Sequence, residues 1–190
     1  MIFLLIKGYG QTGALLASHL KVNKISFTGS TIVGRKIQEA SAKSNLKRVT
    51  LELGGKSPLI VFGDADVQLA ANECATSIFS NQGQVCSGAS RAFVHESVHD
   101  KFVEKLKACA EKRIIGDPFD EKSETGAVIS KVQFDKILNY IKVGKEAGAV
   151  CVTGGERIGT KGYFIQPTIF TNVTDDMVIA KEEVNTHFPI

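Results

Sequence analysis

Lys24-Ile-Ser-Phe-Thr-Gly-Ser30, followed by Thr31-Ile-Val-Gly-Arg-Lys-Ile-Gln-Glu-Ala-Ser-Ala42 and then Val49-Thr-Leu-Glu-Leu53, decides the fold class. Lys24-Ile-Ser-Phe27 is a short segment bounded by the turn residues Thr28, Gly29 and Ser30, and it is expected as a strand. From about Thr31 to Ala42 the apolar residues follow a helical spacing, and Val49–Leu53 is a second β-rich run. Strand, helix and strand in that order predict a parallel pair joined by a crossover helix. The chain is therefore expected to be α/β.

The same alternation extends outward. On the amino-terminal side, Ile2–Ile6 is expected as a buried strand, Gly8-Tyr-Gly10 as a turn and Thr12–Leu20 as a helix. The apolar start is too short to span a bilayer and stops at Lys7. On the carboxyl side, a second region begins near Lys56, with Pro58–Phe62 as a strand. A helix capped by Asp64 or Asp66 is expected to run to about Asn81, with Val67, Ala70, Ala71, Cys74, Ala75 and Ile78 on one face. Arg91–His95 is expected as a strand, Ser97–Lys112 and Ser130–Ala147 as helices, Val150–Thr153 as a strand, and Phe164–Phe170 as extended chain.

Of the 190 residues, 43% are hydrophobic, enough for a packed core. The formal charge of +3 is spread along the chain, as in Lys43–Lys47–Arg48 and Lys101–Lys105–Lys107. That pattern is expected to be solvated surface and makes no case for nucleic acid. The four cysteines form no CxxC pair and no histidine cluster has metal-ligand spacing, so no metal is expected and a reducing compartment is. No targeting motif is visible, which makes the cytosol the expected location, with an organelle also open.

Three stretches carry chemistry. Phe27-Thr-Gly-Ser30 lies between a strand and a helix. A helix start offers unpaired N–H groups and partial positive charge, so the turn suits either a pyrophosphate or an ordinary capped helix. Gly8-Tyr-Gly10-Gln-Thr-Gly13 resembles a GxGxxG loop. Glu52 sits near the end of an apolar strand, where open α/β sheets place ligands. A partly buried carboxylate there would have a raised pKa suited to base work, and a structural role is equally open. Asn81-Gln-Gly-Gln-Val-Cys86-Ser-Gly-Ala-Ser-Arg91 surrounds a cysteine with small and polar residues, which favours an accessible thiol or a plain loop cysteine. Cys74, Cys109 and Cys151 lie in apolar patterns and are expected to pack.

Thr50-Leu-Glu-Leu-Gly-Gly-Lys-Ser57 and Phe79-Ser-Asn-Gln-Gly-Gln-Val-Cys86 resemble the glutamate and cysteine signatures of the aldehyde dehydrogenase superfamily, and Glu52 and Cys86 are 34 residues apart (86 − 52), as in that family. Phe27–Ser30, Arg91, Gly116-Asp-Pro118, Gly126 and Tyr163–Thr168 fit the same pattern. The resemblance implies a partial, Rossmann-like dinucleotide-binding domain over residues 1–54 and a partial α/β catalytic domain with a parallel sheet over 55–190. It implies oxidation of an aldehyde to a carboxylic acid with NAD or NADP. Cys86 would attack the aldehyde, with its N–H forming half of an oxyanion hole, and Glu52 would activate water in the same cleft.

The resemblance also places Gly29 and Ser30, with Thr28, at the pyrophosphate and Gly10 and Val33 near the adenosine. Leu53 and Gly54 join the cofactor-binding set. Gln133 and Glu183 would approach the nicotinamide ribose. Full-length members are expected to form homo-oligomers. The family's amino-terminal half supplies an asparagine to the oxyanion hole and a lysine to the ribose. Neither stretch is among these residues, so little dehydrogenase activity is expected of the 190-residue chain alone. An inactive fragment and a cofactor-independent cysteine esterase are the competing readings.

Overall fold

A computed structural model describes residues 6–184. The expected strand at Ile2–Ile6 falls almost wholly outside them, and Ile6 itself is irregular. The chain divides into two compact units, Met1–Gly54 and Gly55–Ile190. No helix of the described residues is long and apolar enough to cross a membrane.

The first unit contains α1 (Gly10–Ser18), β1 (Lys24–Gly29), α2 (Thr31–Lys43) and β2 (Arg48–Leu53). The two strands pair in parallel, from Lys24 opposite Arg48 to Gly29 opposite Leu53. A parallel pair cannot be joined by a hairpin, and α2 supplies the crossover. Side chains alternate along each strand: Ile25, Phe27, Val49, Leu51 and Leu53 are half-buried and their neighbours are exposed. Gly34 lets α2 approach this apolar face closely, since a Cβ there would lie 2.8 Å from Cδ2 of Leu53. Ser30 caps α2 by accepting a hydrogen bond from the Val33 N–H at 3.4 Å.

Lys47 corrects the expectation that the dispersed lysines are solvated. It is only 5% exposed. Its ammonium donates to the Ala17 carbonyl at the end of α1 and to Ser44 Oγ, both at 2.6 Å, while its own carbonyl accepts from Ser41 Oγ at 2.7 Å. A charge pattern in sequence does not reveal that a turn folds one lysine under a helix end. The first helix also starts and stops two residues before the expected Thr12–Leu20, because the Tyr9 carbonyl already accepts from the Thr12 N–H at 3.0 Å.

The second unit contains β3 (Pro58–Val61), α3 (Val67–Phe79), β4 (Arg91–Val94), α4 (His99–Lys112), α5 (Lys131–Glu146), β5 (Val150–Thr153), β6 (Ile169–Thr171) and α6 (Val178–Lys181). β3 and β4 are parallel, with Pro58 opposite Arg91. β5 and β6 are antiparallel, with a bulge between Cys151 and Thr153. One core gathers Ala71, Cys74 and Ile78 of α3 with Phe102 and Leu106 of α4 and Val61 and Ala92 of the parallel pair. Another gathers Phe134, Ile137 and Ile141 of α5 with Ile165, Phe170 and Ile179.

Of the two candidate caps for α3, Asp66 is the one used, its carboxylate accepting from the Gln68 and Leu69 N–H groups at 3.0 Å each. The helix ends at Phe79 rather than Asn81, because Asn81 and Gln82 adopt left-handed backbone angles. α4 begins at His99, after a single 3₁₀ turn at Glu96–Val98. Of the expected extended run Phe164–Phe170, Ile169 and Phe170 enter β6, while Ile165 forms an isolated bridge to Arg157.

Lys47→Met removes the donor that satisfies the Ala17 carbonyl. It is expected to lower the stability of the first unit by about 2 kcal/mol. Hydrogen exchange of the α1 and β2 amides measures this, and unchanged protection would contradict it.

Candidate active site

In the first unit the two parallel strands bring several predicted residues together at their carboxyl ends. Register places Thr28 opposite Glu52 and Gly29 opposite Leu53, with Ser30 capping α2 one residue on and Gly54 following β2. Thr28, Gly29 and Ser30 are exposed, as is Val33 one turn into α2. The first N–H groups of a helix have no intrahelical partner and carry partial positive charge. An open turn with those groups and a serine hydroxyl, at the carboxyl end of a parallel pair, fits a dinucleotide pyrophosphate. Gly10 is the exposed first residue of α1.

Glu52 departs from expectation in its surroundings. It is exposed, not partly buried. Alternation along β2 turns Val49, Leu51 and Leu53 toward α2 and sends Arg48, Thr50 and Glu52 to the other face.

In the second unit Cys86 sits on the loop between α3 and β4. Three successive left-handed residues, Asn81 (φ 51°), Gln82 (φ 57°) and Gly83 (φ 68°), turn the chain sharply off the end of α3. This conformation is uncommon for residues other than glycine and costs of order 1 kcal/mol or more each. Its compensation is visible locally. Asn81 and Gln84 exchange side-chain-to-backbone hydrogen bonds, and Gln84 Oε1 accepts from the Ile129 N–H at 3.0 Å.

Beyond this bend the loop closes as a tight turn. The Gly88 N–H donates to the Val85 carbonyl at 3.0 Å, and the Ala89 N–H donates to Ser77 Oγ of α3 at 3.0 Å. Gly88 must stay small, since a Cβ there would stand 3.2 Å from the Val85 oxygen. Cys86 is left exposed at the tip. The other cysteines contrast with it. Cys74 is fully buried, and burial, with a smaller contribution from Cys109, pushes its thiol up to about 12. Burial likewise raises Cys151, partly opposed by Lys145. Cys109 is half-buried, with its thiol donating to Asn72 Oδ1.

A small cleft adjoins the cysteine loop, lined by Lys56, Gly83, Val85, Ser90 and Glu183 among others. Desolvation by burial lowers the Lys56 pKa to about 8; the Arg91 charge pushes the same way and Glu183 opposes. The segment bearing Glu183 is held by one face of α5. Tyr140 donates to the Glu182 carboxylate, Lys136 to the Glu183 carbonyl at 3.1 Å, and Gln133 to the Val184 carbonyl. Glu182 in turn raises the Tyr140 hydroxyl to about 12. Gln133, expected at a ribose, thus bonds the chain segment beside the cleft.

Ser57, Lys56, Ser77 and Ser90 were not assigned roles by sequence reasoning. Lys56 and Ser57 stand inside the glutamate signature, and that was the available signal. Nothing local marks Ser77, which reaches the loop only because α3 brings it there. Among the described residues no His, Cys, Asp and Glu cluster is arranged to hold a metal ion.

Lys56 makes stability depend on pH in a defined direction. A lysine whose folded-state pKa lies below its unfolded value opposes folding while both states are protonated, and that penalty is relieved as pH rises from about 8 to 10.5. Wild type is therefore expected to gain stability relative to Lys56→Met across that window. Denaturant unfolding of both proteins at several pH values gives the difference, and a flat difference would refute it.

The model of the aldehyde dehydrogenase family matches residues 1–186. An aldehyde dehydrogenase of Davidiella tassiana is 57% identical over 180 residues, 94% of this chain and 36% of that protein. The mitochondrial benzaldehyde dehydrogenase of Antirrhinum majus is 56% identical over 181 residues, 95% of this chain and 34% of that protein. The NAD+ complex structure of an aldehyde dehydrogenase from Bacillus cereus superposes with a TM-score of 0.92 at 44% identity, covering 96% of this chain and 38% of that one. The chain thus spans about a third of the length of the relatives it matches. At these identities and this coverage, the chain belongs to the aldehyde dehydrogenase family.

Proposed function

We propose that this chain carries the nucleophile and the general base of an enzyme that oxidises an aldehyde to a carboxylic acid with NAD or NADP. The observation that carries the reading is the contrast among the thiols. Cys86 is exposed on a loop held by several hydrogen bonds, whereas burial raises the pKa of Cys74 and Cys151. A thiolate is the reactive form, so thiols with raised pKa are poor competitors at neutral pH.

In the proposed reaction the Cys86 thiolate attacks the aldehyde carbon. A C–S bond forms and the carbonyl π electrons move to oxygen, where the Cys86 N–H stabilises the negative charge. A bound NAD or NADP would supply the hydride acceptor, and loss of hydride from that carbon would leave a thioester on Cys86. Glu52 then takes a proton from water as the water oxygen attacks the thioester carbonyl. The C–S bond breaks, and the acid and the thiolate separate.

The exposed, capped start of α2 supports the cofactor assignment. Gly29 and Ser30, with Thr28, would hold the pyrophosphate at the start of α2, with Val33 and Gly10 on the adenosine side and Leu53 and Gly54 beside the groove. Residues 1–54 are then the cofactor-binding part and 55–190 the catalytic part. Glu183 would reach the nicotinamide ribose; Gln133 supports it through the Val184 carbonyl. The relatives include mitochondrial proteins, so either the cytosol or an organelle suits this reading.

The test is aldehyde-dependent NADH formation by the longest polypeptide that contains this sequence. Cys86→Ser is expected to reduce turnover at least about 1,000-fold. Glu52→Gln is expected to leave a first burst of NADH and to slow steady turnover about 100-fold or more, because only the hydrolytic step loses its base. Cys86 is also expected to be the thiol alkylated fastest by iodoacetamide. Peptide mass spectrometry that finds Cys109 or Cys151 modified first would overturn the assignment.

A further inference from the structure

We infer that Ser57 is a positioning residue for Cys86, holding the peptide that follows the cysteine so that the Cys86 N–H is presented to a developing oxyanion. The inference rests on the reading of Cys86 as the nucleophile and assigns a role to a residue outside that chemistry.

Both peptide units flanking the Cys86 Cα are held. On the amino side, the Val85 carbonyl accepts from the Gly88 N–H at 3.0 Å. Among the described residues there are no cis peptide bonds. In a planar trans peptide the carbonyl and the N–H point in opposite directions. Engaging the Val85 oxygen within the turn therefore directs the Cys86 N–H away from it. On the carboxyl side, Ser57 Oγ donates to the Cys86 carbonyl at 3.2 Å. This bond crosses 29 residues of sequence and joins the start of β3 to the loop before β4. With both neighbouring planes held, φ and ψ of Cys86 have little freedom.

Ser57 is itself firmly seated. The Arg91 N–H donates to the Ser57 carbonyl at 3.3 Å, and Arg91 Nε donates to the Lys56 carbonyl at 3.0 Å. The Arg91 guanidinium lies 5.6 Å from the centre of the Phe93 ring. One arginine thus grips two successive carbonyls, and the serine between them faces the cysteine loop. A hydroxyl on a mobile segment would lose more entropy on bonding than the bond returns; on a segment already fixed by strand pairing it loses little.

The experiment compares two reactions of Cys86 in the 190-residue chain. With p-nitrophenyl acetate, the thiolate attacks the ester carbonyl and an oxyanion forms. It collapses as the C–O bond breaks, and p-nitrophenolate leaves with the electron pair, giving an acetyl thioester on Cys86. With iodoacetamide, the thiolate displaces iodide at a saturated carbon and no oxyanion forms. Ser57→Thr keeps the hydroxyl, and Ser57→Val has nearly the same shape without it.

Ser57→Val and Ser57→Ala are expected to acylate about tenfold more slowly than wild type, with alkylation of Cys86 changed less than about twofold; Ser57→Thr is expected to restore acylation. A purely structural role would slow both reactions together. That result, or equal acylation in Ser57→Val and Ser57→Thr, overturns the inference and leaves the functional reading standing. Failure of wild-type Cys86 to be acylated, checked against Cys86→Ser, also overturns this inference, whereas the functional reading is decided by the NADH assay.

Discussion

The parallel pairing of β3 with β4 is the constraint on which the second unit's site depends. Register places Pro58 opposite Arg91 and so brings Ser57 and Lys56 beside the residues that precede β4. Those residues are the cysteine loop. The hydrogen bonds from Arg91 to the carbonyls of Lys56 and Ser57 extend the pairing beyond the last ladder residue. A shift of one residue would turn each side chain to the opposite face of the sheet and separate Ser57 from Cys86. The apolar alternation of Leu59 and Val61, packed against the α3–α4 core, holds the register.

Around that pairing, desolvation decides which groups stay reactive. Packing Cys74 between α3 and α4 removes it from competition as a thiolate, while the same α3 presents Ser77 to the loop that keeps Cys86 outside the core. Lys56 lies between these extremes. It is half-buried beside Arg91, which disfavours its charge, and Glu183 only partly compensates. Backbone strain is found in the same place. Asn81 and Gln82 hold left-handed angles at the exit from α3, and side-chain bonds from Asn81 and Gln84 stabilise the bend. A loop held this way has little conformational freedom, as suits the nucleophilic role proposed for Cys86, whose geometry must be set before a substrate arrives.

Much of the architecture was legible because it rests on local patterns. The turn at Thr28–Ser30, the crossover helix after it and β2 follow from apolar spacing and a serine cap. Asp66 and Ser130 cap α3 and α5 as residues of their type do. The left-handed bend at Asn81–Gln82 was not legible, since neither residue requires that conformation; it is imposed by the path between α3 and β4. The burial of Lys47 is not legible for a similar reason. Its long chain carries an ammonium to a carbonyl 30 residues away, and nothing near it in sequence records that partner. The exposure of Glu52 depended on which face of β2 meets α2, which alternation alone leaves open.

The sequence by itself determined the α/β class, the order of most elements, and the two motifs that single out Glu52 and Cys86, because periodicity, caps and short signatures are properties of neighbouring residues. Only the tertiary structure decided that Ser57 meets the Cys86 carbonyl, that Arg91 holds the segment bearing Ser57, and that α5 bonds to residues 182–184. The physical reason is range. A hydrogen bond or the desolvation of a charge is set by which atoms become neighbours after folding, and residues tens of positions apart become neighbours only when strand register and helix packing place them there.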